Sequence, residues 1–155
     1  METENVTQNV AKPRRSKKPD YILAIMVNAV LLIIANQALN WGIFPFLNQD
    51  FKQVLPIQNI SLVITIVFNA AFLFYDPEWF TSLLKMMLNG ISVAVLARYL
   101  SVFPFDFSAY RGFNWVVFAR VFIILGIVGC CIAIIVEAAK FVSALIAKSR
   151  ERLSG

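Results

Sequence analysis

The chain contains no histidine, two cysteines and little charge; Asp, Glu, Lys and Arg together make up 15% of its 155 residues. Each shortage excludes something. Without histidine there is no imidazole base, no Ser–His or Cys–His nucleophile pair and no His-based metal site. Cys130 and Cys131 are adjacent, so they give no disulfide framework, and a vicinal pair alone is a poor metal ligand set. A charged fraction of 15%, against about 25% in soluble domains, is too small to clothe a domain of this size in a polar surface.

What is present is apolar. Hydrophobic residues make up 59% of the chain, and the mean hydropathy is +0.73. That is the composition of an integral membrane protein. The net charge of +5 matches nucleic acid in sign alone. Lys12, Arg14, Arg15, Lys17 and Lys18 precede the first apolar run, and Lys148, Arg150 and Arg152 follow the last. Basic clusters so placed orient spans and attract anionic lipid headgroups, at about 1 kcal/mol per residue. No nucleic-acid fold signature accompanies them, so the expected partner is an anionic bilayer surface and not nucleic acid.

Four apolar runs, at about 20–39, 56–75, 79–102 and 115–136, each approach the roughly 20 residues that cross a bilayer core. Residues 1–19 are polar and read as a disordered basic tail. They are no signal peptide, because a full-length apolar run follows with no small-residue cleavage site. Trp41, Gly42 and Pro45 close the first run. Pro56 is tolerable in the first turn of the second, and Asp76-Pro77-Glu78 makes a tight turn before the third. Past Val136 the pattern turns amphipathic, which predicts a helical extension to about residue 147 and a basic tail over 148–155. The expected fold is all-α: a transmembrane four-helix bundle over 20–147, built as two helical hairpins. The loops after the first and third runs carry Lys52 and Arg111 alone among basic residues, so both termini and the extension are expected on the cytoplasmic side.

Phe44-Pro45-Phe46 returns as Phe103-Pro104-Phe105, 59 residues later. The same shift brings both predicted hairpins into register, as in membrane proteins with parallel repeats. A duplicated hairpin and a turn that arose twice both account for it.

Polar residues within apolar spans are costly and therefore informative. Asn36 and Asn40 share one helical face, and Asn59 and Asn69 fall near one face of the next. They read either as interhelical hydrogen bonds or as the lining of a polar path. Lys85 and Glu137 lie at depths that permit an ion pair, with Lys140 as the other partner for Glu137. Arg98 and Arg120 lie toward the opposite membrane face, where they either snorkel and pair with Asp106 or bind an anion or lipid phosphate. On the fourth helix Gly126 with Cys130, and Gly129 with Ala133, make small-xxx-small pairs that admit a close helix partner. No nucleophile and base, no paired carboxylates and no phosphate loop occur, so no enzyme, cofactor or metal role is expected.

The stretches NWGIFPFLNQDFKQVLPIQNISL, FYDPEWF and VFPFDFS resemble a group of small four-helix bacterial integral membrane proteins. The resemblance covers about residues 20–140 and implies a bacterial inner membrane; it carries no activity. The function expected is a non-catalytic membrane protein acting through helix–helix association, as a homo-oligomer or as the small subunit of a complex. The alternative is an oligomeric channel or transporter for a small solute or ion.

Overall fold

The computed structural model describes residues 18–110 and 112–153. The tail expected before Lys18, and Arg111, lie outside the described residues. Four helices follow in order: α1 (Lys18–Trp41), α2 (Phe51–Phe74), α3 (Glu78–Val102) and α4 (Trp115–Leu153). All four are long and apolar enough to cross a membrane.

Local chemistry explains most of the boundaries. Pro19 and Asp20 occupy the first turn of α1, where a missing N–H is harmless and a carboxylate meets the positive end of the helix. Gly42 then takes φ +61° and stops it, a left-handed conformation that glycine adopts freely. At the end of α3 the same stop falls on Phe103, with φ 46°, although that conformation costs about 1–2 kcal/mol for a residue with a side chain.

One boundary differs from the sequence pattern. α2 begins at Phe51 and not at Pro56, so the proline lies inside the helix. Pro56 removes one N–H from the ladder, and Leu55 before it is biased away from helical angles. Two things outweigh this. The Asn48 side chain accepts the Asp50 N–H at 2.9 Å and starts the turn, and Phe51 and Val54 are buried.

The helices pack in series: α1 on α2, α2 on α3, α3 on α4, with α1 and α4 not packed on each other. α4 has 39 residues against 25 for α3, roughly 20 Å of extra rise. Its register on α3 is set where Leu96 lies against Gly126, and where Lys148 reaches the Trp79 ring at 5.3 Å. Residues 149–153 therefore run on beyond the first turn of α3. The structure thus continues the helix past the expected end at 147.

The two ends of the molecule are held differently. At the end bearing the 75–77 turn, Tyr21 lies 5.3 Å from Phe72, and Phe72 lies 6.3 Å from Phe80, ring to ring. At the other end, the loops over 42–50 and 103–114 pair through backbone. Leu47 and Phe105 form an antiparallel bridge, with Asn48 N–H bonding the Pro104 carbonyl at 3.1 Å and Asp106 N–H bonding the Phe46 carbonyl at 2.7 Å. The two Phe-Pro-Phe motifs are thus each other's partners.

Candidate functional site

The bridge orders an aromatic cap. Phe46 stacks with Phe107 at 5.7 Å, and Phe105 stacks with Tyr99 of α3 at 5.9 Å. Pro104 is fully buried, so the ring that cannot donate a hydrogen bond sits where none is needed. Beyond the bridge, the Ser108 N–H donates to Asp106 Oδ1 at 2.9 Å and holds that carboxyl below the usual carboxylate range.

Beneath the cap lies a cavity of about 410 Å³. It touches all four helices, at Ala35 of α1, Gln58 of α2, Tyr99 of α3 and Ile123 of α4, under Phe46 and Phe105. Its lining is otherwise apolar. On the far side of Phe46, Phe105 and Ile123 a second space of about 650 Å³ opens among Phe107, Tyr110, Trp115, Phe118 and Phe122.

Of the polar residues singled out in the spans, two meet. Asn36 Nδ2 donates to Asn59 Oδ1 at 3.0 Å, and Asn59 Nδ2 returns the bond to Asn36 Oδ1 at 3.0 Å. Asn40 instead donates to Gln37 of its own helix at 3.0 Å. Asn69 is buried and donates to the Thr65 carbonyl at 2.8 Å, again within its helix. Asn28, Asn89, Ser92 and Thr65 do likewise, each bonding a carbonyl one turn back.

Glu137 takes its ion pair from Lys140, at 2.8 Å on the next turn. Lys85 stands near enough to act through its charge, and buried Ser82 is within hydrogen-bonding reach of the same carboxylate. Lys140 wins because it shares a helix with Glu137 and needs no adjustment between helices.

Arg98 and Arg120 are both exposed and are not brought together by any contact among the described residues. The Arg120 guanidinium lies 4.6 Å from the centre of the Phe103 ring, and its expected pairing with Asp106 does not form. The aromatic face is the nearer partner, since Asp106 is turned to Ser108.

The small residues of α4 divide. A Cβ on Gly126 would come within 3.1 Å of Leu96, so this glycine serves the α3–α4 contact. Gly129 is exposed with open space before it, Cys130 and Ala133 are half-buried, and both cysteines are free. Among the described residues no three Cys, Asp or Glu side chains gather where a metal ion could sit.

Two contacts had no mark in the sequence pattern. The Tyr21 hydroxyl donates to Asp76 Oδ1 at 2.9 Å, tying the start of α1 to the α2–α3 turn. Lys148 covers the Trp79 ring and ties the far part of α4 to the start of α3. Both join residues at one end of the molecule, and depth along the spans was the available clue.

Comparison of the chain with protein-family models, with curated proteins and with solved structures finds no match.

Proposed function

We propose that the chain is a multi-pass membrane protein, without catalytic machinery, that acts through helix–helix association as a homo-oligomer or as the small subunit of a membrane complex. The observation that carries this reading is the open series of helices. α1 and α4 do not pack on each other, and both leave long apolar faces uncovered, among them Leu23, Met26 and Ile33 on α1 and Phe122, Leu125, Ile132 and Ile135 on α4. In water such faces are a liability; in a bilayer they are ordinary, and they are available to further helices. Exposed Gly129 lies among them and permits close approach.

In this reading α1 with α2 and α3 with α4 are two transmembrane hairpins, with both termini and the end of α4 in the cytoplasm. The basic residues support that orientation: Lys148 and Arg150 lie at one end, while the described residues of the paired loops hold no Lys or Arg, and Lys52 follows them in the first turn of α2. The resemblance of the loop sequences points to a bacterial inner membrane. The bonding of the span asparagines also favours association over a solute path. Asn40 and Asn69 bond within their own helices, and Asn36 and Asn59 bond each other.

Native mass spectrometry of the protein extracted with its own lipids tests the reading. A stoichiometric second protein or a defined homo-oligomer supports it, and a bare monomer counts against it. Reporter fusions after Asp76 and at Gly155 test the orientation, which a C-terminus on the outer side would overturn.

A further inference from the structure

We propose that the cavity beneath the paired loops binds an uncharged lipophilic molecule bearing a carbonyl oxygen. This rests on the membrane reading above, which places the cavity within reach of the hydrocarbon.

The space of about 410 Å³ falls within the roughly 300–1,000 Å³ of small-molecule sites, and all four helices contribute to it. No Lys, Arg, Asp or Glu lines it, so a phosphate or a free carboxylate has no counter-charge there. Two lining side chains can hydrogen-bond, Gln58 and Tyr99. Neither has a hydrogen-bond partner among the described residues, whereas the span asparagines all do. The Tyr99 ring packs on Phe105 at 5.9 Å and Phe51 at 6.3 Å.

An amide and a phenol facing an apolar space are unfavourable unless something answers them. Both are donors, and a carbonyl oxygen is an acceptor that either can use. The rest of such a molecule would lie against Ala35, Ile123, Phe46 and Phe105. Because α1 and α4 do not pack on each other, the chain leaves a lateral way in between them. A ring carbonyl of a quinone and an ester carbonyl of a neutral glyceride offer the same chemistry.

Thermal unfolding of the purified full chain, with decylbenzoquinone or dioleoylglycerol added, tests this. One or both probes are expected to raise the unfolding midpoint. A rise with the first alone assigns a ring carbonyl, and a rise with the second alone assigns an ester. Gln58→Leu and Tyr99→Phe should each weaken apparent affinity by up to about tenfold, the worth of one hydrogen bond. Ala35→Leu, which narrows the space and leaves both polar groups in place, should abolish the shift; Gln58→Leu keeps the test available where that variant does not fold. No shift with either probe, or the same shift in the wild type and these variants, overturns the proposal. Alkaline carbonate washing of membranes separates the two readings. A chain that stays in the membrane yet ignores both probes defeats the cavity alone, and a chain that washes off defeats both.

Discussion

Asn36 and Asn59 exchange two side-chain hydrogen bonds between α1 and α2, each 3.0 Å long. Each amide uses the other as donor and as acceptor, which no asparagine–carbonyl bond within one helix can do. Interhelical bonds of this kind in membranes contribute about 0.6 kcal/mol on average and up to about 1.7. Asn36→Leu and Asn59→Leu are therefore expected to lose about 1 kcal/mol each, and the double variant less than the sum. Asn69→Leu should add independently to Asn36→Leu, because its amide is engaged on Thr65. Unfolding in bicelles as a double-mutant cycle reads this directly, and strict additivity of Asn36 with Asn59 would remove the coupling.

The left-handed stop at Phe103 makes a second prediction. Phe103→Gly and Phe103→Ala lose the same ring contacts with Phe105 and Arg120, but only glycine relieves the backbone. The glycine variant should be the more stable of the two by about 1 kcal/mol. Equal melting of both would show that the backbone at this position relaxes in the variants.

Acid should loosen the turn after the bridge. The Asp106 carboxyl titrates below its usual value because the Ser108 N–H favours the charged form. A lowered folded value means that its contribution is complete above the unfolded value, about pH 4, and is lost as pH falls through the folded one. Hydrogen exchange at the Ser108 amide should accordingly quicken, relative to its intrinsic rate, below about pH 4. Asp106→Asn keeps an acceptor without a charge and should flatten that dependence. A profile that persists in the asparagine variant would assign the effect to another group.

Glu137 distinguishes its two lysines. Lys140→Gln removes the direct ion pair at 2.8 Å, while Lys85→Gln removes a more distant charge. With the lysine side chain 48% exposed, the loss for Lys140 is expected to stay near 0.5 kcal/mol and to exceed that for Lys85. A larger loss for Lys85 would mean that the interhelical pair dominates.

Much of the fold was legible because long apolar runs leave few choices. A run of apolar residues of the right length is a helix whatever its detailed order, and glycine and proline mark where it stops. The errors have local causes. The apolar pattern starts α2 at Pro56, because the tertiary burial of Phe51 and Val54 leaves no periodic trace. The site was less legible still. Asn36 and Asn59 could be listed as polar span residues, but their meeting depends on the rotation of two helices, which a single sequence does not encode in its spacing. The bridge of the Phe-Pro-Phe loops was visible as a repeat and not as a contact. Gln58 carries no mark in the sequence, since one glutamine in the second turn of a helix reads as interface, and only the cavity beside it sets it apart.

The serial packing also bears on biogenesis. Each helix after α1 packs on the one just before it in the chain, so α1 and α2 can complete their mutual contacts before α3 has left the ribosome, and α3 can join before α4 has emerged. The backbone bridge between the paired loops is different, because it needs Pro104 and Asp106 and therefore cannot close until the end of α3 has emerged. Until that moment the Phe46 carbonyl and the Asn48 N–H lack their partners, and the α1–α2 unit has its capping loop still open.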